Sequence, residues 1–120
     1  MREVKFNFEA LKAYQKALDF IDATYKSIDR FPKDENYALS SQFKRASTSI
    51  ALNIAEGTGD TNAQFNRFLN IANGFIKECV VCSSITKMLN YISTEEYIDN
   101  RIKLEELSKM TSSLQKIFKI

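Results

Sequence analysis

Apolar residues recur at steps of three and four in four successive stretches, so the chain predicts four helices and no strand. The first is expected over about residues 9–30, where Leu11, Tyr14, Leu18, Ile21, Tyr25 and Ile28 trace one bundle seam. Phe31-Pro32 ends it, because the residue before a proline is pushed out of helical conformations. The second is expected over about 34–56. Asp34 and Glu35 suit its positive end, and Leu39, Phe43, Ala46, Ile50 and Ile54 form its core seam. Gly57 and Gly59 stop it, with Gly57 as the expected left-handed cap.

The third helix, about 61–91, opens with a Thr61/Gln64 capping box. Phe65, Phe68, Ala72, Phe75, Cys79 and Cys82 form its seam. Val80, Val81, Ile85, Met88, Leu89 and Ile92 make its second half apolar most of the way round, and a neighbouring subunit is the expected cover. The fourth, about 94–118, follows a Ser93/Glu96 capping box and carries the seam Tyr97, Leu104, Leu107, Met110, Leu114 and Ile117. Acids lead it (Glu95, Glu96, Asp99) and Lys116 and Lys119 close it, as the helix dipole prefers. Short connections make successive helices antiparallel. The prediction is one all-α domain over residues 1–120, an up-down-up-down antiparallel four-helix bundle.

The second helix also carries a polar stripe. Gln42, Arg45, Ser49, Asn53 and Glu56 fall within roughly 80° of one another, beside the core seam. A stripe so placed is expected against protein, and Glu78 on the third helix is grouped with it. One reading is a catalytic or ligand-binding constellation. The favoured one is a polar layer that fixes helix register or subunit pairing. A buried Arg45 needs a carboxylate, which Glu56 or Glu78 could supply within or between subunits.

Composition narrows the chemistry. The chain has no histidine, which removes the commonest general base and metal ligand. Glutamates alone do not build the Glu-x-x-His sites of metal-binding bundles. Cys79 and Cys82 have Cys-x-x-Cys spacing but sit mid-helix on an apolar seam, so they read as small core residues, reduced, rather than a redox or zinc pair. Gly57-Thr58-Gly59 lacks the rest of a phosphate-binding loop and reads as a turn, although the helix start at Thr61 could hold an anion weakly. The formal charge of +2 announces no nucleic-acid footprint. The lysines Lys12, Lys16, Lys44, Lys109, Lys116 and Lys119 are candidate phosphate contacts, but their default reading is solvated helix faces interleaved with acids. The N-terminus has no signal-peptide core and no apolar run suggests a membrane span, so a cytoplasmic protein without membrane partners is expected. No catalytic residue, cofactor or metal is expected.

The residues also carry a resemblance. Phe8, Leu11, Tyr14-Gln15-Lys16-Ala17, Phe31-Pro32, Glu35 and Tyr37-Ala38-Leu39 lead to its most specific part: Gln42-Phe43-Lys44-Arg45-Ala46, Ser49-Ile50 and Asn53-Ile54-Ala55-Glu56-Gly57. Phe65, Phe68, Leu69, Ala72, Gly74 and Glu78 follow. In these residues the chain resembles the bacterial four-helix-bundle family named for the protein encoded in intervening sequences of 23S ribosomal RNA genes. The resemblance implies a left-handed bundle that assembles as a ring-shaped homopentamer. It also implies a nucleic-acid or ribonucleoprotein role, and a related branch serves diversity-generating retroelements as a basic partner of the reverse transcriptase. Two positions depart from the pattern: Asp60 stands where many relatives carry a base, and Phe75 where they often carry serine. The expected role is a non-enzymatic homo-oligomeric assembly or interaction module. The alternative is binding of RNA or DNA through basic residues that the oligomer multiplies.

Overall fold

Leu11 is where the N-terminal segment turns into the bundle. In the computed structural model, which describes residues 2–33 and 37–118, a 3-10 turn over Asn7–Ala10 comes first. Glu9 folds its carboxylate back onto the Phe6 N–H at 2.8 Å, and the Gln15 side chain donates to the Glu9 carbonyl at 2.9 Å. Leu11 then takes extended backbone and α1 runs Lys12–Asp29, starting later than the apolar spacing predicts. The amides of Arg30 and Phe31 close onto the carbonyls of Ser27 and Ile28 just ahead of Pro32. α2 spans Tyr37–Gly57, α3 Asn62–Met88 and α4 Thr94–Ile117. Asp34 and Glu35, expected to lead α2, lie outside the described residues.

The helix ends follow local chemistry, with three changes from expectation. Thr61 Oγ1 accepts from the Gln64 N–H at 3.2 Å, and Ser93 Oγ from the Glu96 N–H at 3.1 Å, so both hydroxyl caps form. The return arms of both boxes are spent elsewhere: the Thr61 N–H goes to Asp60 Oδ1, and the Glu96 carboxylate accepts from Ser27 Oγ and Arg30 Nη2, each at 2.9 Å, and ties the end of α1 to the start of α4. Gly57 is not a left-handed cap. It is the last helical residue of α2, and Gly59 takes the positive φ of 88° in the turn that follows. α3 stops at Met88, short of the predicted end. Asn90 adopts φ 63°, its N–H reaches the Lys87 carbonyl at 3.0 Å, and the Tyr91 N–H reaches that of Thr86 at 2.9 Å. This is the paired hydrogen bonding of a Schellman stop, with asparagine in the place glycine usually takes.

Each helix packs on its neighbours in sequence, and α1 on α4 closes the ring, while diagonal helices stay apart. Phe20, Phe43, Ile50, Ile54, Leu69, Leu104 and Leu107 are fully buried at the centre. The predicted seam of α2 faces inward, but that of α1 is rotated. Its core face is Ala13, Ala17, Phe20, Thr24 and Ile28, whereas Leu18 and Tyr25 are exposed. With Ala13 and Ala17 on its inward face, α1 contributes one large buried side chain at its middle, Phe20, in place of the larger seam residues expected there. Tyr25 carries the Lys44 ammonium 5.0 Å above its ring. On α3, Leu69 and Ile76 are buried beside the predicted seam, with Phe68 and Phe75 at its edge. On α4 the buried centre includes Thr111, and Ile117 is exposed.

Thr24 exposes a weakness in this packing. Its hydroxyl is buried and has no hydrogen-bond partner among the described residues. An unmet buried hydroxyl costs about 1–3 kcal/mol. Thr24→Val keeps the shape and removes the polar atom, so we expect its urea midpoint to rise, by about 1 kcal/mol of stability. A midpoint below that of the parent would mean the hydroxyl is satisfied.

Candidate functional site

The polar stripe of α2 lies on the outer edge of the bundle, along the seam with α3. Gln42, Arg45 and Glu56 are exposed, and Ser49 and Asn53 half-buried. Gln42 Nε2 donates to the Glu78 carboxylate across the seam at 3.4 Å. Asn53 turns back on its own helix and donates to the Ser49 carbonyl at 2.8 Å. Arg45 does not meet a glutamate within the chain: among the described residues, neither Glu56 nor Glu78 comes within 4 Å of it. Its guanidinium instead lies 5.7 Å from the centre of the Phe75 ring. A charge this exposed is not stranded by its surroundings, so the large penalty for breaking a buried pair does not apply to the single chain.

Around the stripe the surface is apolar and small. Leu52 on α2 and Val81 on α3 are 63% and 57% exposed. Gly74, in the middle of α3, has nothing within 4 Å of where a Cβ would stand. Leu39, Gln42, Gly74, Glu78 and Val81 border one shallow depression of about 270 Å³. Met88, at the end of α3, is also bare. Part of the apolar girdle expected on α3 therefore faces outward. α3 is long and apolar enough, by length and composition, to cross a membrane, which the sequence reading did not anticipate. In this fold its Phe65, Leu69, Ala72, Ile76 and Cys79 face is the wall of the core.

The most developed polar network was not anticipated. Thr111 Oγ1 donates to Asn73 Oδ1 at 2.5 Å, and Asn73 Nδ2 donates to Gln115 Oε1 at 3.4 Å. Gln115 Nε2 donates to Asn70 Oδ1 at 2.6 Å, and Asn66 donates to the Phe118 carbonyl. Asn100 extends the same seam to Ser83 Oγ at 3.0 Å. Asn66, Asn70 and Asn73 sit at steps of four and three on α3, a spacing the sequence shows without naming their partners, and Gln115 and Asn100 reach α3 from α4. They hold α4 in register on α3 and present no nucleophile or base.

The remaining candidates are dispersed. Cys79 and Cys82 are buried free thiols. Burial pushes the pKa of both upward, with the Glu78 charge adding to it, which is the opposite of an activated thiol. Among the described residues, no group of three or more His, Cys, Asp or Glu side chains is placed to hold a metal. The candidate lysines do not share one face. Lys16 pairs with Glu106 at 3.4 Å, Lys109 with Glu105 at 3.3 Å, and Lys44 covers Tyr25. Lys12 is exposed near Lys109 between α1 and α4, Lys116 is exposed at the end of α4, and Lys119 lies outside the described residues. Thr61 and Asp60 close their own turn, with the Thr61 N–H on Asp60 Oδ1 at 2.7 Å.

Fold and surface together define a small all-α bundle whose largest polar network joins α3 to α4. The model of the 23S rRNA-intervening sequence protein family matches residues 9–113, and the chain belongs to that family. A solved structure similar to it is a protein of unknown function from the S23 ribosomal protein family of Bacteroides thetaiotaomicron. The two share 25% identity with a TM-score of 0.80, over 87% of this chain and 95% of that one. No curated protein matches the chain.

Proposed function

We propose that this protein is a non-enzymatic, cytoplasmic assembly module that associates with itself through the outer face of α2 and α3. The carrying observation is Gly74. A glycine in a helix interior costs about 1 kcal/mol relative to alanine, and here no neighbour within the chain needs the space. Close approach of another helix supplies the missing reason. Leu52 and Val81 offer apolar surface on either side, and among the described residues Arg45 has no carboxylate within 4 Å. An acid from a second copy fits that vacancy. Five copies in a ring is the state the family resemblance implies.

Light scattering tests this directly. We expect a mass five times the 13.8 kDa of one chain, falling toward one chain in Leu52→Glu and Gly74→Leu. A parent protein that stays at one chain mass through micromolar concentrations overturns the reading. A complex that gains mass with structured RNA at low salt and loses it at high salt would instead favour phosphate contacts. Lys12, Lys16 and Lys109 lie along α1 and α4, but Lys16 and Lys109 are already paired there with Glu106 and Glu105, which weighs against that second reading.

A further inference from the structure

A second surface lies on the other side of α3. Between α3 and α4 runs an open groove of about 640 Å³. Val80 and the buried Leu104 line it, and Ile98 and Ile102, one turn apart on α4, stand bare along its edge at 50% and 59% exposure. Tyr97 to Lys109 border its length, which at about 1.5 Å per residue is roughly 18 Å, or some three helical turns. Small-molecule sites enclose about 70–90% of their ligand. A trough open along one side leaves a small ligand wet, but suits a helix laid lengthwise, with apolar residues at every third and fourth position.

The charge on the rim indicates what kind of helix. Lys77, Arg101 and Lys109 border the groove, with Glu105 as the acid among its lining residues. Glu105 is already engaged by Lys109 at 3.3 Å. Among the described residues neither Lys77 nor Arg101 has a carboxylate within 4 Å, and Arg101 rests 5.4 Å from the centre of the Tyr97 ring. The groove therefore offers an apolar floor and unneutralised cations at its rim. We propose that it docks an amphipathic helix of another protein, apolar along one stripe and acidic on the flanks. Lys77 also borders the α2–α3 depression, but Ile98, Arg101 and Ile102 lie on α4, away from it.

The test titrates the full chain with a helical peptide of about four turns, leucines on one stripe and glutamates flanking them. A twin peptide carries lysines in place of the glutamates. Fluorescence anisotropy is expected to show saturable binding of the acidic peptide and none of its twin. Ile102→Glu should abolish binding, and Arg101→Glu should weaken it about fivefold or more. Leu52→Glu, on the opposite side of α3, should leave affinity unchanged whatever it does to the mass. Equal binding of both peptides overturns the proposal, as does the absence of binding by either at millimolar concentration. A loss of assembly mass in Ile102→Glu also overturns it, because the groove would then belong to a contact between copies.

Discussion

Gly57→Val will open the turn between α2 and α3 and destabilise the protein by about 1–3 kcal/mol, the range of an overpacked core, with valine at its upper end. A Cβ on residue 57 would stand 2.8 Å from the Phe68 Cβ, 3.0 Å from Phe65 Cδ1 and 3.3 Å from the Phe65 Cα. Two of these atoms are fixed to the α3 backbone and cannot rotate away. The third belongs to a ring packed edge-on against Phe118 at 4.9 Å, so its retreat disturbs the end of α4 as well. The helices must therefore separate at this contact. At Gly59 a side chain meets open space, and alanine there carries only the left-handed backbone penalty of about 1–2 kcal/mol. Urea denaturation of Gly57→Val should show the loss together with exposure of Phe65. A stability within about 0.5 kcal/mol of the parent would mean that the α2–α3 turn yields easily.

Gly57 also shows where the sequence misleads. A glycine after an apolar helix followed by a second glycine reads as a cap, because the chain order supplies no hint that two phenylalanines from the next helix lie across it. The four helices, the inward seam of α2 and the hydroxyl caps at Thr61 and Ser93 were legible, since each depends on residues within a turn or two. The phase of α1 was not. Weighting large apolar residues placed Leu18 and Tyr25 inward, whereas the fold turns Ala13, Ala17 and Phe20 inward. The Asn66, Asn70, Asn73 and Gln115 network was hidden for a related reason: an amide on a helix looks solvated until its partner is known. Arg45 looked like one half of a buried pair because its stripe adjoins the core seam. In the single chain that stripe is the outer edge of α2, and only a second molecule could bury it.

The phase of α1 has the largest energetic consequence. Phe20→Ala is expected to cost about 3–5 kcal/mol, the range for truncating a buried phenylalanine. Phe20 has no exposed surface, and its ring centre lies 6.4 Å from that of Phe43. The residues that flank it on the core face of α1, Ala13, Ala17 and Thr24, are too small to collapse into the space it leaves. For 120 residues the total stability is on the order of 6–18 kcal/mol, so this loss is a substantial share of it. The melting temperature should fall on the order of 10–25 °C. Leu18→Ala is the necessary comparison. Leu18 is 44% exposed, so its truncation should cost well under half as much. The alternative seam built on Leu11, Leu18 and Tyr25 makes the opposite ranking, with Leu18→Ala severe and Phe20→Ala mild. Thermal melts of the two variants thus decide which face of α1 holds the bundle together. The ranking remains readable if the protein self-assembles through α2 and α3, because neither Phe20 nor Leu18 lies on that face.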